Sequence, residues 1–105
     1  MSNLPKVVAS LIEAQNNYDS IEFSKCFAET AIVHDEGHKY NGRKEIKSWI
    51  EGANDTYKTI MQPVEYLEDS QKLKAKISGN FPGSPLVLTY QFDIKDDQIH
   101  SLKIV

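Results

Sequence analysis

Residues 30–50, TAIVHDEGHKYNGRKEIKSWI, pass from a short branched apolar run, through a glycine turn, into an amphipathic helix. Ala31, Ile32 and Val33 lead into His34 and Asp35, a pattern that predicts a strand. Gly37 supplies the permissive turn position, and His38–Tyr40 reads as the returning hairpin partner. Asn41 or Gly42, with Glu45 following, starts a helix whose apolar face is Ile46, Trp49, Ile50, Ala53 and Tyr57. Side chains alternate along a strand, so Ala31, Val33 and Asp35 share one face while Ile32 and His34 share the other. Only one of the two polar residues at the strand end can therefore point inward.

Upstream, Leu4, Val7, Val8, Leu11 and Ile12 recur at helical spacing, with Asn3 placed to cap and Pro5 in the first turn. The stretch NNYD (residues 16–19) interrupts this helix, and Asp19 with Glu22 forms a capping box for a second, short one. Downstream, the apolar period falls to two at about Ile60. Val64 and Tyr66, then Leu73, Ala75 and Ile77, mark two strands. PLVLTYQFDI (85–94) and QIHSLKIV (98–105) form a last pair around KDD (95–97). Three helices followed by such a meander must share a core, giving an α+β fold with the helices on the concave side of one sheet. The 105 residues suit one domain spanning 1–105.

In the fifth strand Leu86, Leu88, Tyr90 and Phe92 share the face that should look toward the helices. In the sixth, Lys103 suits the outside, which puts His100, Leu102 and Ile104 inside. Val87, Thr89, Ile99 and Val105 are then left on an outer face half apolar enough to be covered by a second copy of the chain.

A formal charge of -3 argues against nucleic acid as a partner. No run of eighteen apolar residues and no leader-like segment appears, so no membrane association is expected. Cys26 is the single cysteine, and a reducing, cytoplasmic setting is the default reading. Neither a P-loop nor a GxGxxG, zinc-finger or HExxH spacing occurs, and no cofactor is expected. His34, Asp35, Glu36 and His38 crowd into five residues, too close for three of them to converge on one ion, so no metal site is expected either.

Two stretches carry a family resemblance: LIEAQNNYDSIEFSKCFAETAIVHDEG (11–37) and YNGRKEIKSW (40–49). The first is a helix, a polar break, a second helix and a strand ending on an acid. The second matches a glycine followed by a basic, an apolar and an aromatic position. Together they resemble the NTF2-like superfamily, in particular its SnoaL-like and ketosteroid-isomerase-like branch, over nearly the whole chain. The resemblance implies a cone, its curved sheet wrapped around a pocket closed by helices, and commonly a homodimer. It places Asp35 on the carboxylate that shuttles protons in the steroid isomerases of this family.

Leu11 and Leu88, however, fall where those enzymes carry their two oxyanion donors, and Asp35-Glu36-Gly37 replaces a common Asp-Pro. Leucine donates no hydrogen bond, which argues against steroid isomerisation by that mechanism. The expected site is Asp35 with His100 as catalytic pair, inside a small apolar pocket walled by Trp49, Leu88, Tyr90, Leu102, Leu11 and Val33, with Tyr18 at its mouth. Three functions fit such a site. One is a proton-transfer enzyme (isomerase, cyclase or dehydratase) acting on a small hydrophobic substrate. Another is a non-catalytic module that binds a small hydrophobic ligand, and the third is a dimeric interaction protein with a filled cone.

Overall fold

A computed structural model describes residues 4–105, so Asn3 and its expected cap lie outside the described residues. Helices α1 (Lys6–Asn16) and α2 (Ser20–Lys25) lead into strand β1 (Phe27–Asp35), hairpin strand β2 (His38–Asn41) and helix α3 (Gly42–Tyr57). Strands β3 (Ile60–Leu67), β4 (Lys72–Ser78), β5 (Leu86–Lys95) and β6 (Gln98–Ile104) complete one six-stranded sheet of order β2-β1-β6-β5-β4-β3. The sheet is mixed: β1 runs parallel to β6, and every other pair is antiparallel.

Local chemistry explains the element ends. The Asp19 carboxylate accepts from the Glu22 backbone N–H at 3.1 Å, capping α2. At the start of α3 the side chain of Asn41 caps nothing; instead Glu45 reaches back and accepts from the Asn41 N–H at 2.8 Å. The β1–β2 hairpin pairs Asp35 with His38 across Glu36 and Gly37, both with positive φ (51° and 78°), the twist that a two-residue hairpin turn needs. Gly79 is required by close approach, since a Cβ there would stand 2.6 Å from the Tyr57 carbonyl oxygen at the end of α3.

One core joins α1, α2 and α3 to the inner sheet face through Val8, Leu11, Phe27, Ile46, Leu73 and Leu102. The buried stripe of α3 is Ile46, Ile50 and Asn54, so the expected apolar face is rotated at its end: Tyr57 is exposed and a polar residue takes its place inside. Strand β1 begins at Phe27, earlier than AIVHD suggests, and its pairing with β6 shifts register between Phe27 and Ile32.

The sixth strand corrects an expectation. Between Asp93 and Ile94 the β5–β6 register shifts by one residue, so Ile99 pairs with Ile94 while Ser101 pairs with Asp93. That bulge breaks the alternation on β6. Ile99 and Leu102 are both sealed inside, at 0% and 1% exposure, and His100 is the unpaired bulge residue, so alternation no longer assigns it to the inner face with Leu102. Ile99 likewise leaves the outer face, where Val87 and Val105 remain exposed apolar residues.

Candidate functional site

Asp35, not His34, continues the inner row begun by Ala31 and Val33; His34 is exposed. Cross-strand register then fixes its neighbours. Asp35 pairs with Ile104 on β6, and Ile104 pairs with Tyr90 on β5. Asp35 and Tyr90 thus occupy one row of the inner face with a single strand between them, about 9–10 Å apart at the backbone. The next row, Val33, Leu102 and Phe92, is fully buried and forms the floor. Along β5 the cover thins from Phe92, which is buried, through partly exposed Tyr90 and Leu88 to Leu86 at 43% exposure. The inner face is therefore closed at Phe92 and open toward Leu86.

Helix α3 lays Trp49 over this open end. Its indole N–H hydrogen-bonds to the Asp35 carboxyl, and its ring stacks on Tyr40 with centroids 5.3 Å apart and tilts against Phe23 at 6.1 Å. Tyr90 stacks on Phe92 at 6.4 Å. Asp35 is thus a half-buried carboxylate with an indole on one side and a phenol across the row. Burial, reinforced by the neighbouring Glu36 charge, raises its pKa above the ordinary 3.8, against the lowering effects of His38 and the Trp49 hydrogen bond. The Tyr90 phenol is held well above the ordinary 10.0, again by burial first and by the Asp35 charge second. The Tyr90 phenol therefore feels the charge of Asp35.

The remaining expected site residues take other roles. Leu11, Val33 and Leu102 are sealed in the core at 1%, 0% and 1% exposure and offer no surface to a ligand. Tyr18 donates its hydroxyl to the Lys58 carbonyl oxygen at 3.0 Å, tying the α1–α2 junction to the end of α3. Lys58 is nine residues beyond Trp49, about 13 Å along the helix, so Tyr18 does not reach Asp35. His100 is four strand residues from Ile104, the β6 neighbour of Asp35, again about 13 Å away. The histidine whose charge acts on Asp35 is His38, its partner across the hairpin. Tyr40, which from the sequence could stand at the pocket mouth as Tyr18 could, is a wall residue stacked on Trp49. Its signal was period-two spacing from His38, opposite Val33.

A separate cavity of about 460 Å³ lies between α1, α2 and the β5–β6 turn, lined by Lys6, Glu13, Asp19, Glu22, Cys26 and Asp97 among others. Its charges are mixed, and the Cys26 thiol is pushed up to about 11, chiefly by burial and then by Glu22, so it stays protonated and unreactive. Among the described residues no three histidine, cysteine or acidic side chains come together to hold a metal ion. Among them, too, no helix is long and apolar enough to cross a membrane.

A curved six-stranded mixed sheet, helices on its inner face and a carboxylate at the open end of that face define an NTF2/ketosteroid-isomerase-like fold. No profile of a known protein family matches the chain, and no curated protein matches it. Solved structures do. A proposed polyketide cyclase from Sinorhizobium meliloti is 38% identical over 99% of this chain and 97% of its own, with a TM-score of 0.93. A protein of ketosteroid-isomerase-like fold from Catenulispora acidiphila, solved with trimethylamine, is 17% identical over 98% of this chain and 86% of its own, TM-score 0.83. A proposed polyketide cyclase from Xanthomonas campestris is 23% identical over 93% and 85%, TM-score 0.72. The chain belongs to the NTF2-like superfamily, in its SnoaL-like and ketosteroid-isomerase-like branch.

Proposed function

We propose that the protein is a proton-transfer enzyme acting on a small, largely apolar carbonyl compound, with Asp35 as the base. The observation that carries this reading is the setting of Asp35: half-buried, hydrogen-bonded by Trp49, and facing the open aromatic end of the inner sheet face. A carboxylate with a raised pKa is a stronger base than one in water. Asp35 takes a proton from the carbon beside the carbonyl, the C–H electron pair becomes a C=C bond, and the carbonyl π pair moves to oxygen. Return of the proton to another carbon is isomerisation; attack of the carbanion on a second carbonyl is cyclisation, and loss of water completes a dehydration. The similarity to a proposed polyketide cyclase supports this substrate class.

Deuterium exchange into a series of small 1,3-diketones, followed by proton NMR, tests the reading. The wild-type protein should accelerate exchange, with an acid limb centred above the ordinary aspartate 3.8, because only the ionised carboxylate is a base. Trp49→Phe removes a hydrogen bond that favours the carboxylate, so its acid limb should move to still higher pH. No exchange above buffer with any of these ketones would reject the enzyme reading.

A second reading rests on the sealed floor. Val33, Leu102 and Phe92 leave little depth beneath Asp35, which suits a module that holds a small hydrophobic ligand without turnover. Asp35 and Trp49 would then be its polar and aromatic anchors.

The outer sheet face supports a homodimer. Val87 and Val105 are 61% and 55% exposed beside Thr89, and a two-fold contact would cover them without a further partner. Sedimentation at tens of micromolar should give the dimer, and Val87→Lys should shift it toward monomer. A monomer at every concentration would refute this assembly. The lone buried thiol suits a cytoplasmic location.

A further inference from the structure

Deprotonating a carbon acid places charge on the carbonyl oxygen, and that charge needs a donor. Resting on the proton-transfer reading above, we propose that Tyr90 supplies it: its phenol hydroxyl hydrogen-bonds to the substrate oxygen while Asp35 takes the proton from the adjacent carbon. The placement is fixed by backbone pairing, Asp35 to Ile104 to Tyr90, on the inner face of the sheet. One strand of separation sets the two residues about 9–10 Å apart at the backbone with Ile104 between them, a span that a substrate lying across Ile104 would bridge with its carbonyl oxygen at one end and its α-carbon proton at the other.

Further observations support the role. The Tyr90 hydroxyl has no hydrogen-bond partner among the described residues, and it is not a sealed, unsatisfied group. Its ring is held by stacking on Phe92 at 6.4 Å, so the hydroxyl is presented in a fixed direction. The other nearby donor, the Trp49 indole N–H, is already committed to Asp35. The phenol also stays protonated through the whole working pH range, as a donor must, because burial and the Asp35 charge both oppose its ionisation. During the step the Tyr90 O–H bond either remains intact, stabilising the enolate, or passes its proton to give the enol and recovers it when the carbonyl re-forms.

Two measurements decide this. In the diketone exchange assay Tyr90→Phe should lower kcat by about 100-fold with KM changed less than about twofold, the pattern of a donor that acts on developing charge. Phenylalanine keeps the stacked ring, so the melting temperature should stay close to wild type. The second measurement needs no turnover. Asp35→Asn imitates the protonated base, and p-nitrophenolate, an oxyanion whose absorbance reports its ionisation, should bind that protein about tenfold more tightly than the Asp35→Asn, Tyr90→Phe double variant. Unchanged kcat in Tyr90→Phe, equal phenolate affinity in the two Asn proteins, or no phenolate binding by either would overturn the role. If the wild-type protein exchanges no carbon acid, the proton-transfer reading falls. The phenolate titration then decides by itself whether Tyr90 is an anion-facing donor.

Discussion

The Asp35→Asn protein is expected to lose its catalysed exchange by at least about 100-fold while melting higher than wild type at pH 7. Both effects have one cause. Folding half-buries the carboxyl and raises its pKa above the ordinary 3.8, so between 3.8 and the folded value the native state binds more protons than the unfolded chain. Stability contributed by this group is therefore complete below 3.8 and is lost as pH rises through the folded pKa. Asparagine has nearly the same shape and can accept from the Trp49 indole, yet it carries no charge to desolvate. The melting advantage of the variant should accordingly be present at pH 7 and vanish at pH 3. A lower melting temperature for Asp35→Asn at pH 7 would mean that the carboxylate serves the hairpin turn instead of a binding site.

Gln15→Ala should be the most destabilising single change of a polar residue, at about 2–3 kcal/mol, or a melting temperature lower by roughly 10–20 °C for a domain of this size. Gln15 is buried at 5% exposure and its Nε2 donates to Asn54 Oδ1 at 2.9 Å and Thr59 Oγ1 at 2.9 Å, with the Thr59 carbonyl oxygen at 3.2 Å. Asn54 is also 5% exposed, so it cannot turn to water when its partner is removed. The adjacent Asn16 reinforces the joint, accepting from the Met61 N–H at 2.7 Å and donating to its carbonyl oxygen at 2.9 Å. Together these bonds hold α1 against the end of α3 and the start of β3. Gln15→Leu fills the space without restoring the donor, and it should lose nearly as much. Urea unfolding that shows less than about 0.5 kcal/mol for either variant would remove this network from the account of stability.

The two residues behind these predictions were unequally visible in the sequence. Asp35 was readable because parity with Ala31 and Val33 is a property of neighbouring residues in a strand. Gln15 sits in EAQNNY, which looks like the polar end of a helix. Its importance comes from Asn54 and Thr59, 39 and 44 residues away, and no local pattern records a pairing at that range. The same holds for Tyr57 and Asn54 on α3, where helical spacing favoured the tyrosine and tertiary contact buried the asparagine.

By itself the sequence determined the succession of three helices and a strand meander, the hairpin at Glu36 and Gly37, the caps at Asp19 and Glu45, and the inward face of Asp35. Each follows from residues within a few positions of one another, where periodicity and backbone preference act. Only the tertiary structure decided that His100 is not beside Asp35, that Ile99 is inside, and that Tyr90 and Trp49 are the groups around the carboxylate. A single extra residue in β6 inverts the parity of what precedes it, and cross-strand register is set by the packing of the whole sheet, not by either strand alone.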